Sequence, residues 1–287
     1  MTKYLVTGAT GNLGGLTVEA LLKLAPAQDI SVLVRDPAKA VKFKARGLTA
    51  VKGDYTNYES LVSAFKGIDK LLIIGAVSLS NRAPQHENII NAIKTAKPKH
   101  VVYVSFYHKD GSKVKLREVT DVEIKSEKDL IASGVKYTIV RNPLYAHAFK
   151  QLLGGNPKDE GVRTFGPESK TTWANIADLG EANAKLLTQK DHENKTYLLN
   201  SGHTVTLEEM AELWGELYGK PVKYLHGTKQ AFVDALVAKG LPVERAEYGA
   251  AFINAVMEGE FSETSSSLKD ILGREPVGLK ESLKTDL

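Results

Sequence analysis

The chain of 287 residues predicts an α/β fold, a doubly wound parallel (Rossmann) sheet with a smaller, mostly helical C-terminal lobe. Three observations carry that expectation. Short apolar runs alternate with longer helical patterns as far as Arg141. The runs are apolar on both faces, as in Val32-Leu33-Val34 and Leu71-Leu72-Ile73-Ile74, which marks strands covered by helices on both sides. A glycine turn, Gly8-Ala9-Thr10-Gly11-Asn12-Leu13-Gly14-Gly15, stands between the first run and the first helical pattern.

The strands expected in order are Lys3–Thr7, Ile30–Val34, Thr49–Lys52, Leu71–Ile74, Val101–Ser105 and Tyr137–Val140. Helices fill 13–24, 37–46, 58–65, 84–96 and 120–132, and right-handed crossovers wind them onto both faces. Beyond Arg141 the rhythm changes. Residues 145–172 carry Gly154-Gly155-Asn156-Pro157 and Gly166-Pro167 and read as loops or short strands. A helix over Asn175–Leu187 and a strand at Thr196–Leu199 return to the sheet, and helices follow near 207–218, 229–239 and 244–258. The sheet domain is therefore drawn as 1–145 with 173–200, and the lobe as 146–172 and 201–287.

Composition narrows the function. The net charge of +4 is dispersed, without a block of like charge, so nucleic acid is not an expected partner. No apolar run approaches the ~20 residues of a membrane helix. The N-terminus enters a strand at once and leaves no room for a signal peptide, so a cytoplasmic protein is expected. With 0 cysteines there is no disulfide and no thiolate chemistry. Neither a His-Glu-x-x-His pair nor a Gly-x-Ser-x-Gly elbow occurs, so no metal site or serine nucleophile is expected.

The glycine turn points to a dinucleotide. Gly8 permits the tight turn, Gly11 lets the backbone approach a pyrophosphate, and Gly14 brings helix and sheet together. Thr10, Asn12 and Leu13 complete the loop, whose helix N-terminus offers free N–H groups to the phosphates. At the end of the second strand Arg35 precedes Asp36, and Lys39 lies one helical turn on. Both cations suit a 2′-phosphate, which favours NADP(H) over NAD(H), although solvated surface charges would read the same way. Asp36 suits a cap for the helix begun by Pro37. Asp54 either accepts from the adenine amino group or caps a turn, and Gly75-Ala76 leaves room for the adenosine.

The runs Thr7–Gly15, Val34-Arg35-Asp36-Pro37, Gly53-Asp54-Tyr55 and Val140-Arg141-Asn142-Pro143-Leu144-Tyr145 resemble the NmrA-like atypical short-chain dehydrogenase/reductases. Within them, the likeness is to the NAD(P)H:quinone oxidoreductase and triphenylmethane reductase branch, and it covers nearly the whole chain. The resemblance implies that Arg35 meets the 2′-phosphate and that Ser105, Phe106 and Asn142–Tyr145 surround the nicotinamide. One departure matters: none of the 11 tyrosines has a lysine four residues on, so the usual Tyr-x-x-x-Lys pair is missing.

Hydride transfer needs orientation more than a side-chain acid, which suits a quinone or similar flat, electron-poor acceptor. Lys125 and Lys128 are candidates for a ribose contact, or belong to a solvated charged face. Tyr145 either stacks or donates at the site, or is a core aromatic, and His147 either lines the pocket or packs at the surface. A non-catalytic NAD(P)-binding regulator and a sugar-nucleotide epimerase are the alternatives, and a homodimer is a possible assembly.

Overall fold

In the computed structural model, the structure describes residues 1–75, 81–109, 111–112, 114 and 116–284. Ala76 lies outside the described residues. The elements run β1 (Tyr4–Val6), α1 (Asn12–Leu21), β2 (Ile30–Val34), α2 (Val41–Lys44), β3 (Thr49–Lys52), α3 (Tyr58–Phe65), β4 (Lys70–Ile74), α4 (Arg82–Ala96), β5 (His100–Phe106), α5 (Arg117–Ala132) and β6 (Tyr137–Asn142). There follow α6 (Ala148–Leu152), α7 (Pro157–Glu160), β7 (Val162–Phe165), β8 (Lys170–Thr171), α8 (Ile176–Thr188), β9 (Lys195–Leu198), β10 (Val205–Thr206) and α9 (Leu207–Tyr218). The chain closes with β11 (Tyr224–Gly227), α10 (Lys229–Ala238), α11 (Val243–Met257), α12 (Ser267–Leu272) and α13 (Leu279–Lys284).

Seven strands form one sheet in the order β3-β2-β1-β4-β5-β6-β9, and every neighbouring pair is parallel. The inner strands read as unbroken apolar runs because each face serves a different core, while the edge strands β3 and β9 are part-exposed. In β5, Val102 and Val104 join α1, α8 and α12, whereas Val101 and Tyr103 join α3, α4 and α5. In β4, Leu72 faces the first layer while Leu71 and Ile73 face the second. Alternation is thus present but hidden, since both sides exclude water.

Helix boundaries follow local chemistry. Asp36 Oδ1 accepts from the Ala38 N–H at 2.9 Å, with Pro37 at the first position of the turn it caps. The helix expected over 37–46 is in fact a 3₁₀ turn, Pro37–Ala40, followed by the four residues of α2. In α8 the Asn175 side chain accepts from the N–H groups of Ala177 and Asp178. Thr206 and Glu209 form a reciprocal capping box at the start of α9.

A third core, apart from the two on the faces of the sheet, gathers Phe149, Phe165, Trp214, Phe252 and Phe261 from the segments after β6. Two short pairings brace it, β7 with β11 in parallel and β8 with β10 antiparallel. Residues 145–172, expected as loops or short strands, carry two short helices as well, α6 and α7. The helices α12 and α13, which no periodicity announces, complete the chain, and α12 packs against α8 and β9 rather than into this third core. Among the described residues no helix is long and apolar enough to cross a membrane.

Candidate functional site

The strand order reverses between β1 and β4, and in an open parallel sheet that reversal opens a crevice beyond the carboxyl ends of the strands. A cavity of about 450 Å³ lies there. Its floor is the turn from Gly8 to Gly14. Gly8 has φ +65°, the left-handed region that other residues avoid. A β-carbon on Gly14 would stand 2.2 Å from the Gly8 carbonyl oxygen, so only glycine lets α1 sit this close to the turn. The ends of β1 and β4 are locked together: the Thr7 hydroxyl accepts from the Ile74 N–H at 3.0 Å, and the Tyr55 hydroxyl donates to the Ile74 carbonyl at 2.8 Å. Burial pushes the Tyr55 hydroxyl up, so it stays a neutral donor.

The same turn fits a pyrophosphate. The N-terminus of α1 has Gly11 at its cap and no side chain satisfying the first-turn N–H groups. A β-carbon on Gly11 would meet only the Gly8 carbonyl, at 3.4 Å, so the cavity side of this residue is open. Thr10, Asn12 and Leu13 line the cavity with it.

Past the ends of β2 and β3 the wall is Leu33, Arg35, Gly53, Asp54 and Tyr55. Arg35 is exposed and has no salt bridge or hydrogen bond among the described residues. Asp54 Oδ1 accepts from the Thr56 N–H at 2.9 Å and its hydroxyl at 2.8 Å, and these bonds hold the carboxyl below its usual range. It therefore caps a turn and lines the cavity as well. Lys39, in contrast, is exposed and does not line the cavity.

At the opposite end stand Gly75, Gln85, Tyr145, His147 and Ile176. Tyr145 and His147 lie ring against ring, with centroids 5.7 Å apart and planes inclined by 34°. Asn142 donates to the Tyr145 hydroxyl at 3.3 Å, and burial raises the Tyr145 pKa against that bond. Asn142 is buried behind the wall and does not line it.

Ser105 and Phe106, expected around a nicotinamide, point elsewhere. Ser105 donates to Glu127 Oε1 at 2.6 Å. Phe106 packs edge-on against Phe252 and Phe261, with centroids 5.9 and 5.7 Å away. Lys125 pairs with Asp129 on the outer face of α5, with 69% of its side chain exposed. Lys128 is exposed too, at the rim of a separate cavity of about 380 Å³. Neither lysine lines the cleft at the strand ends.

The inner face of α5 carries carboxylates instead. Glu127 is buried and pairs with Arg141, whose guanidinium donates to its oxygens at 2.7–3.2 Å. Glu123 accepts from the Tyr103 hydroxyl at 2.9 Å and pairs with Arg82, and burial raises its pKa. His86 donates from Nδ1 to the Tyr103 oxygen at 2.8 Å, and burial holds its pKa down at about 3. The signal for this network was the four-residue spacing of Glu123 and Glu127 on a face that also carries Val119 and Leu130.

Residues 2–278 match the model of the NmrA-like family. The chain belongs to that family. Among NmrA-like relatives, Quinone oxidoreductase 2 of Escherichia coli (strain K12) is 35% identical over 281 residues, spanning 97% of this chain and 96% of that protein. The crystal structure of an NADPH-dependent quinone oxidoreductase from Escherichia coli, complexed with NADPH, superposes with a TM-score of 0.90 at 34% identity and covers 98% of this chain and 99% of the other. The triphenylmethane reductase of Citrobacter sp., complexed with NADP(H), gives a TM-score of 0.89 at 31% identity over 99% of this chain and 100% of that one.

Proposed function

We propose that this chain is an NADPH-dependent reductase that delivers hydride to a quinone or a similarly flat, electron-poor acceptor. The observation that carries the reading is the cleft itself: a capless helix start at its centre, an uncommitted guanidinium at one end and an aromatic wall at the other. Gly8, Thr10, Gly11, Asn12 and Leu13 would hold the pyrophosphate, and Arg35 the 2′-phosphate. That cation favours NADP(H) over NAD(H).

Bound there, the reduced cofactor supplies a hydride. The chain's own contribution is to hold an acceptor ring against Tyr145 and His147 and to keep Tyr145 neutral. A quinone oxidoreductase and a triphenylmethane reductase, by name, are among its relatives. Residues 1–145 with 173–200 form the cofactor domain in this reading. Residues 146–172 and 201–287 form the lobe that shapes the acceptor site, with α12 serving to fasten it to α8.

The test is anaerobic mixing of purified protein, NADPH and a panel of small quinones. Equimolar loss of NADPH and gain of hydroquinone supports the reading. NADPH binding without consumption for any acceptor would favour a regulatory NADP(H)-binding protein.

A further inference from the structure

At the cleft's aromatic end His147 can do more than form part of a wall. His147 is half-buried, lines the cleft and leans on Tyr145 at 5.7 Å, yet it has no hydrogen-bond or salt-bridge partner among the described residues. The other histidines in the described core are committed. His86 and His100 are both held by two side chains, and His108 donates to the Phe106 carbonyl. A histidine with both ring nitrogens unclaimed, at the acceptor end of a cofactor cleft, is equipped to exchange a proton with whatever lies there.

The chemistry of the acceptor calls for such a group. Hydride carries two electrons and one hydrogen, so its transfer to a neutral quinone leaves a hydroquinone monoanion that needs one proton. The usual donor, a tyrosine with its pKa lowered by lysine, is absent, and burial moves Tyr145 the opposite way. Lys125 is turned to solvent.

We propose that His147 is the proton donor for quinone reduction. The imidazolium N–H bond breaks and an O–H bond forms on the reduced ring, which leaves as hydroquinone. The neutral imidazole then regains its proton from solvent. The sum is NADPH, quinone and one proton giving NADP⁺ and hydroquinone. This rests on the reductase reading above. Among the described residues, the titratable and charged groups sharing the cleft are Tyr145 and Tyr55, both kept neutral by burial, and at its far end Arg35 and Asp54. Glu123 and His86 lie behind Gly75, and the Glu123 charge is felt by Tyr145. From α8 the neighbouring lining residue is Ile176, which carries no charge.

A cationic triphenylmethane dye separates this role from a merely structural one. Hydride adds directly to its central carbon and completes the product, with no proton required. Wild type and His147→Asn are compared with NADPH on a quinone and on such a dye across pH. The expected result is a fall of about tenfold or more in the ratio of quinone to dye turnover. The alkaline fall in kcat for the quinone disappears in the variant, while Kd for NADPH stays within about twofold. Equal losses on both acceptors, a parallel loss of NADPH affinity, or a quinone pH profile unchanged by the substitution would each overturn the proposal. If wild type reduces the quinone alone, the pH profile decides. If wild type reduces neither acceptor, it is the reductase reading that fails.

Discussion

Gly14 lies under the Gly8 carbonyl so closely that a β-carbon at 14 would come within 2.2 Å of that oxygen, whereas one at Gly11 would stop at 3.4 Å. The two glycines of one turn therefore have separable roles. Gly14→Ala must push α1 off the sheet, and overpacking of this kind costs typically ~1–3 kcal/mol. Gly11→Val should leave the melting temperature close to wild type and abolish NADPH binding, because its side chain fills the open side of the cap. Calorimetric titration with thermal melts checks both, and NADPH bound normally by folded Gly11→Val would remove the pyrophosphate from this turn.

Arg35 stands at the β2–β3 end of the cleft with no salt bridge or hydrogen bond among the described residues, although its charge is felt by the Asp54 carboxyl. A charge-assisted bond to a 2′-phosphate should give NADPH an advantage over NADH of roughly tenfold or more in affinity. Arg35→Ala should erase that advantage and leave NADH binding nearly unchanged. Equal affinities for the two cofactors in wild type would refute the assignment.

Tyr145 is held by Asn142 and raised by burial, which suits a wall better than an acid. Tyr145→Phe should keep most of the quinone turnover, while Tyr145→Ala loses an aromatic contact worth ~0.5–1.5 kcal/mol beyond its area. Steady-state kinetics of both variants decide the matter. Equal inactivity of Phe and Ala would make the hydroxyl the proton donor.

His100 accepts from Lys70 at 3.0 Å and donates to Thr138 at 2.8 Å, and burial foremost, then Lys70, lowers its pKa to about 4. An unfolded histidine titrates near ~6.5. Below that pH the unfolded chain binds a proton that folded His100 refuses, so stability should fall as pH drops from about 6.5 toward 4. His86, at about 3, adds to the same trend. Denaturant titrations between pH 7 and 5 should show the loss, with a shallower slope in His100→Asn. A slope unchanged by that substitution would contradict the burial of a neutral His100.

Much of this architecture was legible in the residues. β2 and β3 have the expected ends, and α3 spans the residues its periodicity predicts. Two-sided burial made the strands plain, and the glycine turn located the cleft. The acceptor end was less legible, for physical reasons. Ser105 and Phe106 sit at the end of β5 as expected, but what they face comes from distant sequence: Glu127 for one, Phe252 and Phe261 for the other. The run Lys125-Ser126-Glu127-Lys128-Asp129 reads as a solvated surface by composition. Only the helical phase, with Glu123 and Glu127 in line with Leu130, distinguishes its buried carboxylates from its exposed lysines. The helices α12 and α13 span six residues each and are too short for periodicity to declare them. His147 is a single residue whose neighbours are set by the return of the chain to α8.

The most direct measurement is steady-state oxidation of NADPH and NADH with a small quinone, made side by side on wild type and Gly11→Val. Wild type should turn over with a kcat/KM for NADPH at least roughly tenfold above that for NADH. Folded Gly11→Val should fall to the enzyme-free rate. Wild type at the enzyme-free rate with every quinone, or Gly11→Val as active as wild type, would contradict a reductase built on this cleft.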